Sequence, residues 1–113
     1  MNQWKEIKSE QDIALIKEAS VLKPQIIFKD STTCGISAYA KERLTNGQAL
    51  WQDTADFNYL DLLTYRTISN FIASDLEVVH QSPQIIVLKN KEVVFTRTHH
   101  SIQAEELAEV VAN

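Results

Sequence analysis

The 113 residues include two glycines, two prolines and one cysteine, and each shortage excludes something. A single cysteine cannot close an intrachain disulfide, and it cannot supply the paired thiolates of common structural zinc sites. Two glycines cannot build a dinucleotide fingerprint or a P-loop, both of which need several at fixed spacing, so no nucleotide cofactor is expected. Lysine and arginine together number 11 against 15 aspartates and glutamates, a net charge of −4, and no basic cluster is longer than Lys89-Asn90-Lys91. Nucleic-acid binding needs a basic patch to displace counterions, so it is not expected here. No apolar run approaches the roughly 18 residues of a membrane span. The opening Met1-Asn2-Gln3-Trp4-Lys5-Glu6 carries charge where a signal peptide needs an apolar stretch. These features predict a single cytoplasmic domain over residues 1–113, off the membrane, with its cysteine reduced unless chemistry uses it.

What is present is core-forming material. Hydrophobic residues make up 44% of the chain, and a chain of this size buries about two-thirds of the surface its unfolded form exposes. Trp4–Ile7 reads as a short edge strand. Ser9-Glu10-Gln11-Asp12 reads as a capping box ahead of a helix whose apolar face is Ile13, Leu15, Ile16, Ala19 and Leu22, stopped by Pro24. Gln25–Lys29 reads as a buried strand and Asp30–Thr33 as a polar turn, with Asp30 expected to cap it. From Cys34, the residues Ile36, Tyr39, Ala40 and Leu44 follow helical spacing up to the stop Asn46-Gly47. Gln48–Asp56 fits either a helix extension or a separate turn. Phe57–Leu63 reads as a strand and Arg66–Leu76 as a helix with Ile68, Phe71, Ile72 and Leu76 on one face. Ser82-Pro83 precedes a hairpin of Gln84–Leu88 and Val93–Arg97. A last helix has Ala104, Leu107, Ala108 and Val111 inside and Glu105, Glu106 and Glu109 facing solvent or the helix N-terminus. The order β-α-β-α-β-α-β-β-α predicts an α/β fold of three layers, α/β/α, with a central mixed sheet and helices on both faces.

The chemistry centres on Thr33-Cys34-Gly35-Ile36-Ser37. Cys34 falls where a strand feeds a helix, and the free N–H groups and dipole of a helix N-terminus stabilise an anion such as a thiolate. A thiol pKa depressed from about 8.5 raises the nucleophilic fraction at neutral pH, which thiol–disulfide exchange requires. Gly35 leaves room for a substrate to approach. Ser37, one turn on, is placed to hydrogen-bond the sulfur, and as a serine it cannot form a disulfide, so the motif is monothiol. Ser82-Pro83 is the second feature: a cis bond there would set the chain beside the cysteine and leave a backbone edge free for substrate. The alternatives to reaction are a buried inert cysteine and an ordinary trans proline.

The element order, with Cys-x-x-Ser opening the second helix and a proline ahead of the hairpin, matches the thioredoxin fold along essentially the whole chain. The sequence also resembles the YtxJ-like monothiol bacilliredoxin family. The likeness lies in Phe28-Lys29-Asp30-Ser31-Thr32-Thr33-Cys34-Gly35-Ile36-Ser37, in Tyr59-Leu60-Asp61-Leu62-Leu63-Thr64-Tyr65-Arg66 with Ile68-Ser69-Asn70, in His80-Gln81-Ser82-Pro83-Gln84, and more weakly in His100-Ser101-Ile102. The resemblance implies a thiol–disulfide oxidoreductase that removes bacillithiol, or a similar low-molecular-weight thiol, from protein mixed disulfides, taking it onto its own cysteine. The expected partners are proteins carrying mixed disulfides and the small thiol as co-substrate, with no tightly bound cofactor and with the chain a monomer or weak dimer. Cys34 and Ser37 are the expected catalytic residues, and Thr33, Gly35, Ile36, Arg66, Ser82 and Pro83 the expected thiol- or substrate-binding ones.

One departure opens a further reading. The family commonly has proline after the cysteine, where this chain has Gly35, as in the Cys-Gly-Phe-Ser motif of iron–sulfur-carrying monothiol glutaredoxins. Those proteins hold glutathione partly through a Gly-Gly pair after the proline strand, and Lys89–Thr98 contains no glycine. A non-catalytic module that binds a partner strand beside Pro83 is the third reading. Arg66 could pair with a carboxylate of the thiol, with Asp61, or face water. Lys29 reads as a solvated strand end or a thiolate stabiliser, and Asp30 opposes the thiolate if it points at the sulfur. His80, His99 and His100 lack zinc spacing, so no metal is expected, and His99 or His100 is assigned to local hydrogen bonding. Trp51 reads as core filler or a groove wall, and Leu50, Trp51 and Phe57 are the residues a dimer contact would draw on.

Overall fold

A computed structural model describes residues 4–113. Its strands are β1 (Trp4–Glu6), β2 (Gln25–Asp30), β3 (Asp56–Asp61), β4 (Gln84–Lys89) and β5 (Glu92–Thr98), and its helices are α1 (Glu10–Ala19), α2 (Gly35–Asn46), α3 (Arg66–Asp75) and α4 (Ala104–Ala112). The five strands form one sheet in the order β1-β3-β2-β4-β5. β3 runs parallel to both β1 and β2, whereas β4 is antiparallel to β2 and to β5. Alternation along β2 then separates two cores. Ile26 and Phe28 join residues of α2 and α4, and Ile27 joins residues of α1 and α3 on the other face. The expected three-layer α/β/α fold with a mixed sheet is what forms.

The local signals act as their chemistry dictates. Ser9 accepts the Asp12 N–H at 3.2 Å while the Asp12 carboxylate accepts the Ser9 N–H at 3.1 Å, the reciprocal box that starts α1. Asn90 and Lys91 both have positive φ, 52° and 68°, the geometry of a two-residue hairpin turn whose twist matches its strands. Gly47 caps the end of α2, at a point where space forbids a side chain. A Cβ at that position would sit 2.3 Å from the Ala104 Cβ at the start of α4.

Several expectations are corrected. α1 ends at Ala19, before Pro24, because Ser20 is drawn into other bonds: its hydroxyl donates to the Lys17 carbonyl, and its own carbonyl and hydroxyl accept the Asn90 and Lys91 N–H groups of the hairpin tip. Leu22, beyond the end of the helix, is 93% exposed, and Leu15, inside α1 but off the face of Ile13 and Ile16, is exposed as well. β3 stops at Asp61 rather than Leu63, since the Asp61 carboxylate accepts the Leu63 and Thr64 N–H groups and turns the chain. Within Gln48–Asp56, left open by the sequence, a separate 3-10 turn (Gln48–Leu50) is followed by further turns up to Asp56, the first residue of β3, and Trp51, 1% exposed, stacks on Phe57 with ring centroids 4.7 Å apart. Burial takes Trp51 and Phe57 away from any dimer contact and leaves only Leu50 exposed. Glu106, in the first turn of α4 as expected, also grips Arg97 through two hydrogen bonds of 3.0 Å.

Candidate functional site

The C-terminal ends of β2 and β3 and the start of β4 meet at one end of the sheet. β2 pairs with β3 to Asp30↔Asp61 and with β4 to Lys29↔Gln84, so Pro83 stands level with Asp30, four residues before Cys34. The turn after β2 closes with the Cys34 N–H donating to the Ser31 carbonyl at 3.0 Å. Cys34 itself is the N-cap of α2, in extended backbone with its carbonyl accepting the Ala38 N–H, and its side chain is partly exposed. Thr33, Gly35 and Ile36 are exposed around it, whereas Ser37 is fully buried. A Cβ at Gly35 would touch nothing within 4 Å. The fold therefore does not demand glycine there, and the surface in front of the sulfur is open.

The helix terminus acts on the sulfur as the sequence predicts. The Cys34 thiol is held below its ordinary pKa chiefly by the Ser37 backbone N–H, then by the Ile36 N–H and the Ser37 hydroxyl; partial burial and the Asp30 charge oppose them. Donors aimed at the charged form favour it, so the thiolate population at neutral pH rises. Ser37 has a second duty, its oxygen accepting the Ser31 N–H at 3.2 Å. Ser37→Ala removes one donor to the thiolate and strands that N–H. The expected results are a higher Cys34 pKa, alkylation several-fold slower at pH 7, and a stability loss of about 1–3 kcal/mol. Iodoacetamide titration and thermal melting measure these, and an unchanged titration would remove the hydroxyl from the account.

The other predicted residues divide. The Ser82–Pro83 bond is cis, Pro83 is buried, and its carbonyl accepts the backbone N–H of His99 at 3.1 Å. The Ser82 hydroxyl oxygen is buried without a hydrogen-bond partner among the described residues. Arg66 opens α3, exposed and without an ion pair among the described residues, so it faces water rather than Asp61.

Lys29 and Asp30 are placed differently from expectation. Lys29 is no solvated strand end. It is fully buried, and its Nζ binds the Ser69 carbonyl and His80 Nδ1, both at 3.2 Å. The forces on the Cys34 thiol come from elsewhere, so Lys29 is not the thiolate stabiliser. Asp30 does not cap its turn. It is buried and accepts the Tyr59 hydroxyl, with burial first and then that bond pushing the phenol well above its usual range. Position in the sequence hid both residues, and only the face alternation of a strand buried on both sides carries a signal, since it sends Lys29 inward with Ile27.

Comparison with known proteins agrees with this geometry. The family model described as monothiol bacilliredoxin BrxC matches residues 5–107. A solved chain described as a candidate oxidoreductase with a thioredoxin fold is 28% identical, with a TM-score of 0.84 over 99% of this chain and 96% of that one. Thioredoxin f from spinach chloroplast, short form, is 19% identical with a TM-score of 0.71, covering 97% of this chain and 91% of that chain. Thioredoxin NaTrxh from Nicotiana alata is 18% identical with a TM-score of 0.72, covering 97% and 90% respectively. These two thioredoxins share the fold alone with the chain. No helix among the described residues is long and apolar enough to cross a membrane.

Proposed function

The chain belongs to the monothiol bacilliredoxin family and so has a thiol redox role, and on that premise we propose that Cys34 strips a low-molecular-weight thiol from protein mixed disulfides. The observation that carries this reading is a partly exposed cysteine at the N-cap of α2, its thiolate favoured by two backbone N–H groups and a serine hydroxyl, in a chain with no second cysteine. The Cys34 thiolate attacks the small-thiol sulfur of the mixed disulfide. A bond forms between Cys34 Sγ and that sulfur, the original S–S bond breaks, and the protein thiolate leaves to take a proton from water. Since Ser37 cannot resolve the adduct, a second low-molecular-weight thiol attacks the same sulfur and frees Cys34. The small thiol is bacillithiol or a close equivalent. Thr33, Gly35 and Ile36 border the entering disulfide, and the edge at Ser82–Pro83 receives the substrate backbone. Arg66, exposed and without an ion pair among the described residues, is available to a carboxylate of the thiol.

Intact-mass spectrometry tests the transfer. A protein mixed disulfide with bacillithiol, or separately with glutathione, is mixed with the reduced chain. The expected result is a chain heavier by one small thiol, equimolar release of the protein thiol, and loss of the adduct on adding more small thiol. An unmodified chain with both substrates, or an ordinary Cys34 pKa, would point to the strand-binding module instead.

A further inference from the structure

Lys29 is a buried cation that the cysteine chemistry leaves unexplained. It is 0% exposed and lies on the sheet face opposite α2, alongside Ile27 and Ile72 of α3. Among the described residues no carboxylate forms an ion pair with its ammonium. Asp30 follows it on β2 but turns to the other face and holds Tyr59, and Asp61 of β3 is occupied by Leu63 and Thr64. Nζ donates to the Ser69 carbonyl and to His80 Nδ1 at 3.2 Å each, and the Ser69 hydroxyl lies 3.3 Å from the same Nδ1. An ammonium can only donate, so it fixes Nδ1 as acceptor and leaves the imidazole proton on Nε2.

The charge state follows from the surroundings. Burial pushes Lys29 from the ordinary 10.5 down to about 8. His80 is held below its ordinary value by burial, then by the charges of Lys29 and of Arg66 on α3. Near pH 7 the pair is therefore a charged lysine against a neutral histidine. Because the folded pKa of Lys29 is the lower one, an unfolded chain keeps the proton between about 8 and 10.5 and the folded chain does not, so stability rises with pH across that window. At pH 7 the full penalty of the buried charge is present.

His80 stands two residues before Ser82, in a segment with few other ties. Gln84 reaches back to the Val79 carbonyl at 3.1 Å and accepts the Gln81 N–H at 3.4 Å. Building on the function proposed above, we propose that Lys29 is a positioning residue: through His80 it holds segment 79–82 against α3 and β2, so that the edge at Ser82–Pro83 is set for a disulfide docking at Cys34. The hold is strongest while Lys29 is charged and His80 neutral, because charge-assisted hydrogen bonds are about twice as strong as neutral ones. It weakens as Lys29 loses its proton, and it is disrupted when His80 gains one and the two cations face each other.

Lys29→Met keeps the volume and removes the charge. Three readouts separate positioning from core support: the melting temperature at pH 7, iodoacetamide alkylation of Cys34, and kcat and KM for a cysteine peptide in mixed disulfide with bacillithiol or glutathione. The expected variant melts no lower than the parent and alkylates with the same pH profile, yet its peptide KM rises about tenfold. The parent's kcat/KM falls above about pH 8, and that descending limb is missing in the variant. An unchanged peptide KM, or stability and activity lost in parallel, overturns the proposal. Should Lys29→Met fail to fold, the partly exposed His80→Ala takes its place, with the same rise in KM expected and an unchanged KM overturning the proposal. A parent chain that takes no small thiol from either peptide removes the underlying function and this proposal with it; a parent that exchanges beside a variant with unaltered KM removes the Lys29 role alone.

Discussion

Cys34→Ser is expected to abolish small-thiol transfer entirely. A serine hydroxyl cannot form the S–S bond that the intermediate requires, and at neutral pH it stays protonated, so no residual path runs through position 34. No other cysteine exists to take over. The fold has little stake in the sulfur, which is partly exposed and is met chiefly by the backbone of its own helix turn. Stability should therefore change by no more than about 0.5 kcal/mol, as for surface positions away from special features. The checks are intact mass after incubation with the mixed disulfide, and a thermal melt. Transfer retained in the variant would remove Cys34 from the mechanism.

Phe57→Ala is expected to give the largest loss of stability. Phe57 is 1% exposed in β3, between β1 and β2, and its ring stacks on Trp4 at 4.1 Å and on Trp51 at 4.7 Å between centroids. Removing it takes away the transfer free energy of a phenyl group, two stacking partners and the filling of the core under α2 and α4. Buried Phe→Ala changes cost about 3–5 kcal/mol. For a domain of this size that lowers the melting temperature by roughly 10–20 °C. Calorimetry measures it. A loss below about 1 kcal/mol would mean that Trp4 and Trp51 close over the gap and that the aromatic stack is not what holds β3 in the sheet.

Much of the fold was legible because local and tertiary demands coincide. The Ser9–Asp12 box, the cysteine at a helix start and the hairpin after Pro83 each have a short-range chemical cause, and each forms. Where tertiary bonds compete, the sequence pattern misleads. Helical spacing through Leu22 is real, yet the hairpin tip draws on Ser20 from 70 residues away and ends the helix first. The site divides in the same way. The nucleophile and its helix-terminal donors are neighbours in sequence and could be read. Lys29 and His80 are 51 residues apart, and Asp30 and Tyr59 are 29 apart, so only the register of β2 against β3 and β4 brings such groups together. A lysine near a strand end reads as solvated until its partners are known.

The central claim is that the start of α2 turns Cys34 into a thiolate nucleophile at neutral pH. The rate of iodoacetamide alkylation of Cys34 against pH, followed by intact mass, measures this directly, since the reagent needs the thiolate but no docking. The account predicts a midpoint clearly below the value of about 8.5 for a free thiol. A midpoint at or above that value would show that the helix terminus does not activate the sulfur, and would contradict the account.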